Sequence, residues 1–316
     1  MGKKLDETVI ALEKQFGKGT VLTGDKPIEP VSVISTGWPS LDLALGIGGL
    51  PRGRIVEIYG PAAAGKTTIA LQTIAQGQKA GGLCAIIDVE QALDLQYAQN
   101  LGVDIDALII SQPSCGEEAL EITEQLIRSG EISVIAIDSV AALTPRAELE
   151  GEMGDAPMAL QARLMSQAMR KLVSSVAKTD TILIFLNQIR EKIGVMFGSP
   201  ETVSGGRALK FFSSVRIDVR SSQQIKDGDN IIGTRTKAKV VKNKMARPFL
   251  VAESDLIFGK GISIEGDVLD LATEKGIADK SGAWITIQGQ RVQGRAAAVR
   301  FLEENPKVLA ELKEKL

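Results

Sequence analysis

The stretch Gly60-Pro61-Ala62-Ala63-Ala64-Gly65-Lys66-Thr67 decides how this chain is read. It fits G-x-x-x-x-G-K-[ST], a turn whose glycines let backbone N–H groups converge on phosphate oxygens. Lys66 adds a point charge, and Thr67 offers a hydroxyl to Mg²⁺. The flanks supply the context the motif needs. Arg54-Ile55-Val56-Glu57-Ile58-Tyr59 reads as a strand entering the loop. Thr68–Lys79 reads as the helix leaving it, with Ile69, Leu71, Ile74 and Ala75 as apolar positions. A phosphate-binding site cradled by Gly60 to Thr68 is the expectation.

Outward from the loop, strands alternate with helices over residues 31–263. Leu83–Asp88, Ala107–Ser111, Val134–Asp138 and Thr181–Asn187 are short continuous apolar runs, the pattern of strands buried on both faces of a parallel sheet. Gly116–Arg128 and Ala159–Ala177 lie between them as helices. This order predicts an α/β core with a mostly parallel central sheet and a ligand beyond the carboxyl ends of its strands. Val215–Arg220, Thr236–Lys242 and Leu250–Phe258 read as consecutive strands extending the sheet.

Residues 1–30 read as an arm. Leu5, Val9, Leu12 and Phe16 form one helical stripe, Gly17-Lys18-Gly19 breaks it, and Thr20-Val21-Leu22 forms a short strand. The arm either packs on its own domain or adds its strand to a neighbouring subunit's sheet. Gly259-Lys260-Gly261 begins a composition shift, and residues 264–316 read as a small α+β domain. Its helical pieces surround a hairpin, Ala283–Ile287 with Arg291-Val292.

The 316 residues carry a net charge of −2, so no whole-molecule basic field can drive nucleic-acid binding; a local patch must. Cys84 and Cys115, in a strand-like run and a polar loop, lack a Cys-x-x-Cys partner, so no metal or redox motif is present. Without histidine, His-based triads and His-ligated metals are excluded, and acid–base chemistry falls to carboxylates, lysine, tyrosine or water. With no apolar run of membrane-spanning length and no secretory leader, a cytoplasmic protein without membrane association is expected.

Asp138 ends the apolar strand Val134–Asp138, and beside a phosphate loop such an acid holds Mg²⁺. Glu90 follows Leu83–Asp88 at the same sheet edge, where a carboxylate can take a proton from water; alone it reads equally as a solvated surface Glu. Gln188 ends Thr181–Asn187, where an amide can contact a γ-phosphate or simply finish a strand.

Several further segments resemble the bacterial recombinase A (RecA) family: Gln15-Phe16-Gly17-Lys18-Gly19, Ile34-Ser35-Thr36-Gly37, Leu50-Pro51-Arg52-Gly53-Arg54, Asp138–Leu143 and Met165–Leu172. The most specific run is Asn187-Gln188-Ile189-Arg190, then Lys192–Gly198, then Pro200-Glu201-Thr202. The likeness covers essentially the whole chain in one register. It implies a RecA-like core and a DNA-dependent ATPase that uses ATP and Mg²⁺. Such a protein forms a helical filament of its own copies on single-stranded DNA, pairs that strand with double-stranded DNA and exchanges strands in repair.

The resemblance makes Lys66 and Thr67 the phosphate and metal contacts, Asp138 a metal support and Glu90 the activator of water. It places Tyr97 on adenine, with Asp94 near the base. Lys242 and Lys244 would reach a neighbour's γ-phosphate; alone they read as a charged strand end. The DNA-binding loops would be Glu150–Pro157 and Ile189–Arg207. The DNA contacts would be Met158, Arg163, Ser166, Arg170, Arg190, Ile193, Phe197, Gly205, Gly206 and Arg207. Phe16 and Phe211 would be interface residues, core packing being the other reading of Phe211. Lys275, Lys280, Arg291, Arg295 and Arg300 either capture duplex DNA or form a solvated mixed-charge face. An SOS-type repressor is a further partner the family raises.

Some positions depart from the family. Ala62-Ala63-Ala64 replaces Glu-Ser-Ser, Gln91 and Pro157 replace histidines, Glu191 places a carboxylate in the second loop, and Arg207 replaces Asn. The chain stops at Leu316 without a long acidic tail. The altered phosphate loop and Glu191 keep open a second reading, a structural filament that hydrolyses or exchanges poorly.

Overall fold

The computed structural model describes residues 3–17, 21, 30–152, 159–191 and 201–316, in two units, Met1–Ser32 and Val33–Leu316. In the first, α1 (Lys3–Phe16) carries the apolar stripe, and Gly17 ends it at φ 100°, its N–H donating to Glu13 O at 2.9 Å. The strand expected at Thr20-Val21-Leu22 falls outside the described residues except for Val21, which is a bend.

The second unit begins with β1 (Val33–Ile34) and β2 (Leu50–Pro51), paired antiparallel around α2 (Pro39–Leu45). Then come β3 (Ile55–Gly60), α3 (Lys66–Lys79), β4 (Leu83–Asp88), α4 (Leu95–Asn100), β5 (Leu108–Ser111), α5 (Gly116–Ser129) and β6 (Ile132–Asp138). A 3-10 turn (Val140–Ala142) and α6 (Arg146–Leu149) lead to α7 (Leu160–Thr179) and β7 (Ile182–Glu191). β8 (Glu201–Val203), α8 (Ala208–Phe212), β9 (Val215–Asp227), β10 (Asn230–Asn243), β11 (Val251–Ile257) and β12 (Gly261–Ile262) complete the core.

The main sheet runs β12-β11-β10-β9-β3-β7-β6-β4-β5. From β9 to β5 the pairs are parallel; β10, β11 and β12 extend it antiparallel. The parallel strands read as continuous apolar runs because alternate residues enter different cores. Val56, Ile58, Ile86, Ala136 and Ile184 pack in one cluster with Trp38, Ile69, Leu71 and Ile74. Ile55, Ala85, Ile87, Ile135, Leu183 and Phe185 pack in another with Ile127, Met165, Met169 and Leu172. Fully burying each of the larger aliphatic and aromatic side chains contributes on the order of 2 kcal/mol, so this double-sided burial dominates the stabilisation.

A third cluster, with Val268, Leu269, Ile285, Ile287, Ala298 and Leu302, belongs to the C-terminal elements. These are α9 (Ile264–Glu274), the sheet of β13 (Asp279–Ser281), β14 (Trp284–Ile287) and β15 (Gln290–Gln293), and then α10 (Arg295–Glu304) and α11 (Pro306–Lys315). A polar seam ties them to the core. Asp267 on α9 accepts from Trp38 Nε1 at 2.9 Å, Ser40 N at 2.7 Å and Ser40 Oγ at 2.6 Å. Arg235, Asp255, Asp270 and Arg295 form a closed ring of ion pairs across β10, β11, α9 and α10. Arg295 is thus paired within this ring, beside acids of the same surface.

Two further positions are settled by the packing and the ladder. Cys115 ends the polar loop as the N-cap residue before α5, and it is buried there. The segment 189–207 is not all loop: Ile189–Glu191 pairs antiparallel with Glu201–Val203. Among the described residues, no helix is long and apolar enough to cross a membrane.

Candidate nucleotide and DNA site

The parallel sheet brings four strands to one edge. β3 ends at Gly60, directly beside Gln188 of β7 in the ladder, and Asp88 of β4 pairs with Asp138 of β6. The phosphate loop rises from this edge into α3. Gly65 stands at the start of α3 with φ 96° and contributes no side-chain cap, so the helix's first N–H groups face the loop. The φ of 96° calls for glycine, and a Cβ there would also press on the tip of Leu256, 2.5 Å from its Cδ1.

Within the loop, Lys66 Nζ donates to Pro61 O at 2.6 Å. Burial lowers the pKa of Lys66, opposed by the nearby charges of Asp138 and Glu90. Thr67 Oγ1 donates to Asp138 Oδ2 at 2.8 Å. Burial raises the pKa of Asp138, opposed by the Thr67 hydrogen bond. A dication beside this hydroxyl–carboxylate pair would favour the anion and reverse that shift.

Glu90 stands in a turn built by two acids. Asp138 O accepts from Val89 N at 2.8 Å and Glu90 N at 3.2 Å. Buried Asp88 accepts from Ala92 N and Leu93 N, both at 3.2 Å, and from Gln112 Nε2 at 2.9 Å. The Glu90 carboxylate accepts from the Ser139 hydroxyl and from Gln188 Nε2, the latter at 3.0 Å. Sequence reasoning missed Asp88, Gln112 and Ser139; only the position of Asp88 at a strand end pointed to it. Alongside lies a cavity of about 220 Å³ lined by Thr67, Leu71, Glu90, Asp94, Tyr97 and Asp138, among others. Tyr97 is half-buried there, its hydroxyl 2.8 Å from Thr68 Oγ1. Asp94 caps α4 by accepting from Tyr97 N at 2.9 Å.

The residues read as DNA contacts fall into two groups. Arg163, Ser166 and Arg170 recur at helical spacing on α7, with both arginines exposed. Gly205 and Gly206 follow β8 at φ 76°, and a Cβ on Gly206 would lie 2.8 Å from Ala162 Cβ, so this turn sits against the start of α7. Gln161 clamps the junction, accepting from Gly205 N at 3.1 Å and donating to Val140 O at 2.8 Å. Arg190 and Arg207 are exposed. Met158, Ile193, Phe197 and Pro157 lie outside the described residues.

Phe211 is 65% exposed, which removes the core-packing reading. Phe16 is exposed on α1. Lys242 Nζ donates to Lys210 O at 2.8 Å and Phe211 O at 3.0 Å, at the carbonyl end of α8. It is not near this chain's own phosphate loop: Lys242 pairs with Arg216, which pairs with Glu57, two strands across from β3. A register shift between Val240 and Lys242 turns Lys242 toward α8, a rotation no periodicity reveals. Lys244, the residue after the end of β10, is exposed.

The comparisons with known proteins agree with this geometry. The RecA N-terminal domain description matches residues 3–263, and the RecA C-terminal domain description matches residues 266–316. The chain is 58% identical over 316 residues to Protein RecA of Corynebacterium efficiens, covering 99% of this chain and 82% of that one. It is 58% identical over 312 residues to Protein RecA of Acinetobacter baylyi, covering 98% and 89%. It is 56% identical over 316 residues to Protein RecA of Salinispora arenicola, covering 99% and 91%. Two domain matches in one register, joined to likeness of this extent along the whole chain, settle its kinship: it belongs to the RecA family, the homologous recombinases of DNA repair.

Proposed function

We propose that this chain is a DNA-dependent ATPase that polymerises on single-stranded DNA, pairs it with homologous duplex and exchanges strands. The observation that carries the reading is the contact of Glu90 with Gln188. It joins a candidate base beside the phosphate loop to the strand that leads into the second DNA segment. The site fits ATP and Mg²⁺: α3 presents N–H groups without a side-chain cap, and Thr67 and Asp138 offer hydroxyl and carboxylate oxygens 2.8 Å apart. When bound, Mg²⁺-ATP supplies the phosphoanhydride that is cleaved and the charge that screens the phosphates.

The protein's part is positional and electrostatic. Gly60, Pro61, Ala62, Ala63, Ala64, Gly65 and Thr68 wrap the phosphates with Lys66, while Tyr97 and Asp94 meet the base. Glu90 accepts the proton of the attacking water. Gln188 leaves Glu90 to contact the γ-phosphate. Lys242 and Lys244 complete the site of the adjoining subunit, so turnover requires a filament. Arg163, Ser166, Arg170, Arg190, Gly205, Gly206 and Arg207 hold the DNA backbone, and Phe16 and Phe211 lie in subunit contacts. Residues 1–30, 31–263 and 264–316 act as polymerisation arm, ATPase core and accessory domain. Duplex capture by the C-terminal domain, an SOS-type repressor as partner and a cytoplasmic setting complete the proposal.

A structural filament with weak turnover is the second reading, favoured by Ala62-Ala63-Ala64, whose side chains offer phosphate no hydrogen bond. ATP hydrolysis measured with and without single-stranded DNA separates the two. Strong stimulation supports the recombinase; ATP-dependent DNA binding without stimulation supports the structural filament.

A further inference from the structure

A buried polar island lies on the sheet face that packs α5, α7 and α8. Glu57 and Asn187 are 0% exposed and Arg216 is 8% exposed. Glu57 Oε2 accepts from Arg216 Nε at 2.5 Å, and Glu57 Oε1 accepts from Asn187 Nδ2 at 2.9 Å. The Arg216 guanidinium lies over the Tyr59 ring, 4.6 Å from its centroid, which fixes its plane. Asn187 Nδ2 also donates to Ser204 O at 3.1 Å, and Asn187 Oδ1 accepts from Gln188 N at 2.9 Å.

An ion pair this deep is weak evidence for stability, because desolvating both charges offsets most of their attraction. Its geometry has another use. An amide has a donor end and an acceptor end of nearly the same shape, and only its partners decide which way it points. Glu57, as an acceptor-only carboxylate, compels the NH₂ of Asn187 to face it. That choice aims Oδ1 at the backbone N–H of Gln188 and leaves the second amide hydrogen for Ser204 O. Ile189 pairs with Val203 in the ladder, so Gln188 and Ser204 flank its open end. One side chain thus grips both roots of the segment between them.

We infer that Glu57, held by Arg216, is a positioning residue: it orients Asn187 so that Gln188 and Ser204 move together and the nucleotide state is passed to the DNA-contacting turn. The inference rests on the proposed roles of Gln188 and the 205–207 turn. Neither Glu57 nor Asn187 touches nucleotide or DNA in this scheme, so both act only through their neighbours.

The test measures binding of a fluorescent oligothymidylate, with a slowly hydrolysed ATP analogue and with ADP, in the wild-type chain and three variants. Glu57→Gln leaves the amide orientation undecided. Glu57→Gln/Arg216→Gln also removes the unpaired buried charge, and Asn187→Ser keeps the ion pair but cannot span the three contacts. The ratio of the two affinities is expected to fall by about 10-fold or more in each folded variant, within the usual range of coupling between sites. Affinity in ADP and nucleotide affinity without DNA should stay near wild type. A purely structural role would lower all affinities together and leave the ratio intact; that result in any folded variant overturns the inference. A wild-type chain with no difference between the two nucleotides overturns the recombinase reading as well.

Discussion

Gln188 Nε2 donates to Glu90 Oε1 across 3.0 Å, joining β7 to the turn after β4. The same oxygen takes the Ser139 hydroxyl, so one carboxylate ties β7 to the chain leaving β4 and β6. Replacing Glu90 by Gln keeps the shape and removes the base. Turnover should fall by about 10²–10⁴-fold while ATP-dependent DNA binding persists. Steady-state hydrolysis beside an oligonucleotide-binding assay gives the answer, and undiminished turnover would assign the proton to another group.

Lys242 points at α8 rather than at its own phosphate loop. Lys242→Ala and Glu90→Gln should each be inactive alone. Mixed in equal amounts they should recover about a quarter of wild-type hydrolysis, because random neighbours re-create complete sites at that frequency when one group is supplied in trans. A mixture as inactive as its components would place both groups in one subunit's site.

Ala63 holds φ 55° within the phosphate loop, a conformation that costs a residue with a Cβ. Ala63→Gly should raise the free energy of unfolding by about 0.5–1 kcal/mol, the strain relief being partly offset by the unfolded-state entropy of glycine. Urea midpoints measured without nucleotide read this out; a lower midpoint for the variant would refute it.

Burial raises Asp42 from 3.8 to about 6, against hydrogen bonds from the Ser35 hydroxyl and from the N–H and hydroxyl of Thr36, which favour the anion. A carboxyl whose folded pKa exceeds its unfolded one contributes stability below the unfolded value and loses it as pH rises through the folded value. Wild-type stability should therefore decline relative to Asp42→Asn by up to about 3 kcal/mol between roughly pH 4 and pH 7. Denaturant titrations across that range decide it, parallel curves for the two proteins being the contrary result.

Much of this was legible in the residues. Apolar runs placed β3, β4, β6 and β7 to within a few positions, because strands buried on both faces have no other reading at that length. The phosphate loop and Asp138 were legible because their chemistry needs few residue types at fixed spacing. What periodicity could not carry was the register. The shift that turns Lys242 toward α8, the β7–β8 ladder inside a presumed loop, and the ring that takes Arg295 all depend on pairings between distant segments. Asp88 and Asn187 looked like ordinary strand ends; their hydrogen bonds give them their standing.

The bare start of α3 has a consequence for how this protein behaves as material. A helix that lacks a side-chain cap is left slightly unfinished, and a phosphate group is chemically the piece that completes it. Nucleotide concentration then acts as a folding condition, worth about 2.7 kcal/mol when ligand stands at a hundred times its dissociation constant. A substitution that weakens nucleotide binding would lower the abundance of the chain in a cell as well as its turnover, and the two losses would arrive together.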